Sequence, residues 1–423
     1  MKRVLMAITL PLLLQAQSIP DLFDALKSHS QVKVDALLVK KSAAQADLVD
    51  ASLYPKVDLF ASYDHYNTPT AMLPVPPNDL LNMVKDQSVA QPFSNDIYKA
   101  GARFSMPIFV KSLYTTADKA QAMQRSVKAK KRINLLRNEA LIVGANANFL
   151  YLVSLKKALA GKEKSLLETK KTLQIKVNNG RSSASALYKI DDALNEIAIA
   201  KNNIDLQEKK IISSIEGITG ITLERPVEMQ QISSFQKGVL GSLKPLEEKI
   251  EADRAEMKAQ KEKLYPALFA HGSYTFSKAK AYNNDQNINE KYGNIGLVLN
   301  IPLIEMNHYD AIAVAEIELQ SSEVKLEKLR DELTAQASML ESSLPLLDNS
   351  MELYAQSIEN KKRLFKIAKI NFNNGRLSTE EYLRYEDAVV EQEANLYKTE
   401  ATKWQTMMQL AVIYANNIEE MVR

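Results

Sequence analysis

Apolar residues recur along much of this chain at intervals of seven. Leu152, Leu159, Leu166 and Leu173 keep that step, as do Ile190, Ile197, Ile204, Ile211 and Ile218. Leu319, Leu326, Leu333, Leu340 and Leu347 repeat it in the second half. A strict seven-residue repeat predicts long helices that wind around neighbours in a left-handed sense. Tyr309 to Asn373 alone is 65 residues, about 100 Å of helix at about 1.5 Å per residue. Pro345 lies inside it and predicts a kink or a break, because proline removes a backbone donor.

Four other segments alternate instead. In Lys56 to Tyr66, Val57, Leu59, Ala61 and Tyr63 oppose Asp58, Phe60, Ser62 and Asp64. Leu268, Ala270, Gly272, Tyr274 and Phe276 oppose Phe269, His271, Ser273 and Thr275. The sets Ala100, Ala102, Phe104, Met106 and Ile295, Leu297, Leu299, Ile301 behave alike. Period two with one apolar face predicts strands at 56–66, 95–106, 267–277 and 292–301. Segments of this length suffice to cross a bilayer. The Pro-rich and Asn-rich connections between paired strands read as exposed loops on one side.

The landmarks occur twice. Leu53-Tyr54-Pro55 recurs as Leu264-Tyr265-Pro266, and Tyr63 as Tyr274, both displaced by 211 residues. Met106-Pro107-Ile108 and Asn178-Asn179-Gly180-Arg181 recur, displaced by 195, as Ile301-Pro302-Leu303 and Asn373-Asn374-Gly375-Arg376. Only the connection between paired strands absorbs the difference, as a surface loop would. The chain is therefore a duplication: a first repeat at 19–221, a linker at 222–242, and a second repeat at 243–423. Each repeat holds a helix, two strands and a long helical hairpin, with hairpin tips at 178–183 and 373–379.

Composition narrows the function. Of 423 residues, 46% are apolar and 25% charged, and the net charge of +3 with interleaved signs gives no footprint for nucleic acid. Lys2 and Arg3, the apolar run Val4 to Leu14, and the small residues Ala16 and Ser18 read as a cleavable signal peptide over 1–18. No cysteine follows it, and none occurs anywhere. No later segment is a spanning helix, so any membrane crossing must use a closed barrel. Four strands cannot close one, and eight would be filled by side chains. Three or more copies would leave a bore. Two ordinary hairpins packed on the helices, as in a periplasmic coiled-coil adaptor or scaffold without a pore, are the competing arrangement.

The signal, the duplicated helix–strand–strand–helix order, Leu-Tyr-Pro before each first strand, the proline after each second strand and the paired Gly-Arg tips resemble the TolC family of outer-membrane efflux proteins. The resemblance implies a mainly α fold with β: a homotrimer sharing a 12-stranded outer-membrane barrel and a long periplasmic α-helical barrel. It implies a passive duct for efflux or type I secretion, surrounded by outer-membrane lipid. A periplasmic adaptor (membrane fusion protein) would dock on it, and an inner-membrane pump of the RND or ABC kind would drive it. Asn179, Gly180, Arg181, Asn374, Gly375 and Arg376 would then meet the adaptor. Family members carry acidic residues after the second tip that narrow the tunnel mouth. Glu381 fits that position, whereas Arg384 departs from it.

The same residues have local readings. Gly180 and Gly375 suit left-handed helix ends, the arginines suit the carbonyls there, and Ser378 with Glu381 forms a capping-box pattern. No enzyme chemistry is indicated. The four histidines lack metal-ligand spacing, no phosphate-binding glycine loop occurs, and no cofactor is implied.

Overall fold

The computed structural model describes residues 18–86 and 88–423. The expected signal lies outside the described residues except for Ser18, which caps the first helix. Its hydroxyl accepts from the Asp21 N–H at 3.4 Å, and its own N–H donates to Asp21 Oδ2 at 3.0 Å. The elements, in order, are α1 (Ile19–Ser28), α2 (Ser30–Ala51), β1 (Lys56–Ala71), α3 (Pro77–Lys85), β2 (Phe93–Phe109), α4 (Lys111–Asn178) and α5 (Ala184–Thr219). Then come α6 (Lys244–Glu262), β3 (Ala267–Lys280), β4 (Asn287–Asn300), α7 (Met306–Asn373) and α8 (Thr379–Tyr414). Helices α4 and α7 have 68 residues each, and α5 and α8 have 36 each. The helical hairpins of the two repeats are equal in length.

The chain forms two compact units. One comprises the described part of Met1–Val39 with Val127–Pro245 and Leu326–Arg423. Its heptad residues do what their spacing demands. Leu152, Leu159, Leu166 and Leu173 of α4 are buried with Ile190, Ile197 and Ile204 of α5 in one stripe. A second core gathers Leu22 and Phe23 of α1, Ile142 and Phe149 of α4, Ile215 of α5 and Met407 and Met408 of α8. Trp404 belongs to it as well. The linker is held by Asn146, which is fully buried. Its amide donates to Val227 O at 2.7 Å and its carbonyl accepts from Val227 N at 2.9 Å. One side chain thus satisfies both backbone groups of a segment without secondary structure. Pro345 does not break α7, which stays helical throughout Met306–Asn373; hydrogen bonding resumes on both sides of the single lost donor.

The other unit comprises Lys40–Ser126 and Leu246–Lys325. Its strands form one antiparallel sheet in the order β1-β2-β3-β4. Helices leave from the same end of all four strands, and the ends of α4, α6 and α7 are tied by polar contacts. Arg125 pairs with Glu248 at 2.7 Å, Lys119 with Glu256 at 2.7 Å, and Lys249 donates to Ser322 at 3.1 Å.

The strands outrun their alternating cores toward the loops. Pairing of β1 with β2 is irregular between His65 and Thr70 and then resumes, Thr70 opposite Ser94. Pro69 falls in that interruption, where its missing N–H leaves no ladder bond unmade. The first connection differs more from expectation. It contains α3, and it does not stand free: Met72 is buried with Ile97, Ala279, Ala281 and Ile288. Asn283 and Asn284 donate to Val89 O at 2.9 Å and Ser88 O at 3.1 Å. The asparagines that read as loop composition act as clamps between the two connections.

Candidate channel wall and helical tips

Register fixes the two faces of the sheet. Val57 lies opposite Phe104, which lies opposite Gly272, which lies opposite Ile295; Leu59, Ala102, Tyr274 and Gly293 form the next row. This face is apolar and uncovered: Leu59 is 85% exposed, Ile295 81% and Leu297 68%. Toward the loops it carries rings. Tyr63 meets Tyr98 with centroids 4.9 Å apart, and Tyr274 meets Phe276 at 5.1 Å. The opposite face carries paired charges, Asp64 with Lys99 at 3.7 Å and Asp58 with Arg103 at 3.8 Å. Among the described residues, the outer edges of β1 and β4 have no partner strand. A large bare apolar face with open edges is incomplete in water, and in lipid each unsatisfied edge group costs several kcal/mol.

The two tips are built alike. Gly180 and Gly375 have φ of 71° and 73°. Gly180 N donates to Val177 O at 2.9 Å and Arg181 N to Lys176 O at 2.8 Å. Gly375 N donates to Phe372 O at 3.0 Å and Arg376 N to Asn371 O at 2.9 Å. Both ends are Schellman motifs, which satisfy the last helix carbonyls with backbone donors. The Arg181 and Arg376 side chains are exposed, as are Asn179 and Asn374. The tips touch: Lys176 Nζ donates to Asn373 O at 2.9 Å, and Lys189 pairs with Glu380 at 2.8 Å.

Glu381 completes the capping box. Its carboxylate accepts from Ser378 Oγ at 2.7 Å and Ser378 N at 3.0 Å, while Glu381 N donates to Ser378 Oγ at 3.2 Å. Those bonds, the hydroxyl's first, hold its carboxyl below the usual range, and nearby Arg384 adds to the effect. Arg384 is itself exposed.

Two neighbours escaped the sequence reading. Tyr382 is fully buried, stacks on Phe372 at 4.6 Å, and shares its hydroxyl with Ser165 at 3.2 Å and Thr169 at 3.3 Å. It docks α8 on α4. The seven-residue step from Phe365 to Phe372 was the available signal for an aromatic seam here. Glu386, one turn on, borders a cavity of about 420 Å³. Burial pushes its carboxyl up to about 7, opposed by Ser165 and Lys162. Glu139 in α4 is likewise pushed up to about 7 by burial, with Glu419 adding and Lys27 opposing. Each has one carboxylate oxygen without a hydrogen-bond partner among the described residues.

Among the described residues, no helix is long and apolar enough to cross a membrane. Residues 242–415 match the model of the outer membrane efflux protein family. No functionally curated protein matches the sequence significantly. Solved structures do match the fold. The CmeC outer membrane channel of Campylobacter jejuni superposes with a TM-score of 0.78 at 16% identity, covering 94% of this chain and 85% of that one. The outer membrane protein VceC of Vibrio cholerae gives 0.78 at 13%, covering 94% and 96%. The open-state MtrE outer membrane channel of Neisseria gonorrhoeae gives 0.76 at 12%, covering 94% and 89%. At such identities the likeness establishes the fold, and the family match covers the second repeat. The second repeat of this chain is thus similar to the outer membrane efflux protein family, and over nearly its whole length the chain has the fold of TolC-like outer-membrane channels.

Proposed function

We propose that the protein is a passive exit channel of the outer membrane. Three copies pool their sheets into a 12-stranded barrel, with the helical hairpins on the periplasmic side. The observation that carries this reading is the sheet: its apolar face is bare, its other face is charged, and both edges are open. Pairing β4 of one copy with β1 of the next removes every edge, and twelve strands leave a bore where eight would be filled. Tip residues Asn179, Gly180, Arg181, Asn374, Gly375 and Arg376 meet a periplasmic adaptor, and an inner-membrane RND or ABC pump supplies the energy. Glu381 and Arg384 flank the narrow mouth, and three copies of each alternate in sign around it. The supporting facts are the exposed, equivalent tips and a carboxylate fixed in place by its cap.

The test is direct. Full-length protein, extracted with detergent and purified, is weighed by light scattering and added to planar bilayers. A trimer with discrete conductance steps is expected. A monomer recovered from the soluble periplasm without detergent, silent in bilayers, would remove the reading and favour a pore-less periplasmic scaffold.

A further inference from the structure

The apolar face of the sheet ends, at the loop side, in cations that no carboxylate among the described residues pairs with. Lys278 lies opposite Tyr98 on one side and Asn289 on the other. Lys291 lies opposite Phe276, with its ammonium 5.5 Å from the ring centre. Lys280 follows two residues beyond Lys278, opposite Asn287. All three are exposed. They sit at and just past the row of Tyr63, Tyr98, Tyr274 and Phe276. On the opposite face, Lys99 and Arg103 have the carboxylates Asp64 and Asp58. On this face the carboxylate at the same height, Asp96, is already taken by the Tyr63 hydroxyl and the His65 ring, each at 2.7 Å. Among the described residues, Lys278, Lys280 and Lys291 form no ion pair. With Tyr63, Asp96 and Tyr98, Lys278 and Lys280 border a depression of about 530 Å³.

We propose that Lys278, Lys280 and Lys291 form a binding rim for the phosphorylated headgroups of outer-leaflet lipid. The inference rests on the channel reading, which puts the helices in the periplasm and the loop ends of the strands outside. The order along each strand then matches the strata of a bilayer. Aliphatic side chains face acyl chains, rings sit at the interface, and ammonium groups rise from apolar stems to the headgroup level. Uncompensated ammonium groups at that level call for anions, and a phosphate ester bound to buried acyl chains supplies them where they stand. A headgroup phosphate is favoured over free phosphate because the adjoining ring and aliphatic surface is complementary only to a lipid.

The test uses full-length protein and a variant carrying Lys278→Gln, Lys280→Gln and Lys291→Gln. Each is equilibrated with detergent micelles doped with bisphosphorylated lipid A or its dephosphorylated form, and retained lipid is counted by native mass spectrometry. The wild type is expected to retain the phosphorylated lipid roughly fivefold or more over the variant, to show no such difference with the dephosphorylated lipid, and to keep its lipid in excess inorganic phosphate. Equal retention by the two proteins, or displacement by inorganic phosphate, would overturn the rim. Planar-bilayer conductance separates the two levels. A conducting wild type with equal retention loses only the rim, whereas a wild type that neither assembles nor conducts loses the channel reading and the rim with it.

Discussion

At the scale of the residue, Glu381 has one carboxylate and two claims on it. As a cap it accepts two bonds from Ser378; as part of a narrow mouth it would present negative charge. The claims separate because glutamine also completes a capping box, whereas alanine cannot. Glu381→Ala is expected to lower the denaturation midpoint measurably, and Glu381→Gln to leave it nearly unchanged. Both are expected to reduce cation selectivity in planar bilayers by a similar amount. Wild-type selectivity in Glu381→Gln would leave Glu381 as a cap only. The capping pattern was legible because it is written in one local spacing, Ser378 to Glu381 three residues on. Tyr382 was not, because its partners Ser165 and Thr169 lie more than 200 positions away and no local period announces a hydroxyl bond across helices.

At the scale of the element, the open edges are the feature on which the proposed pooling of copies rests. The chain has no cysteine, so engineered thiols report only on themselves. Ala61→Cys in β1 combined with one of Gly293→Cys, Ile295→Cys or Leu297→Cys in β4 places thiols on the same face of the two edges. Oxidation is expected to cross-link copies in one of these registers and give a ladder that stops at three chains, since strand thiols join only in a narrow geometry. A cross-link within a single chain, or none at any position, would contradict pooled sheets. Strands and helices were legible because burial on one face imposes a period: two for β1 to β4, seven for α4, α5 and α7. What was not legible is where pattern and structure part. Pairing continues past Pro69 through an irregular stretch, and α7 runs unbroken through Pro345; in both places neighbouring hydrogen bonds outweigh one missing donor. Helix α3 was missed because nine residues near three prolines carry too little period to be read.

At the scale of the whole molecule, Glu139 and Glu386 make stability depend on pH. Both carboxyls are pushed up to about 7, against about 4.3 in an unfolded chain. Between those values the folded state holds protons that the unfolded state has released, so stability is full below about 4.5 and falls as pH rises through about 7. At about 1.4 kcal/mol per pH unit, each group accounts for up to about 4 kcal/mol. Denaturation at about pH 5 and about pH 8 is expected to show the loss, and the double variant Glu139→Gln, Glu386→Gln to flatten it. An equal slope in the variant would assign the dependence elsewhere. The asparagine clamps between the strand connections have a different consequence. Asn283 and Asn284 belong to the second repeat, yet they hang the α3 connection of the first by its carbonyls at Val89 and Ser88. An epitope tag inserted in the short Asn turn would therefore unmoor two surface segments at once, whereas one placed beside Pro74 would spare the hooks.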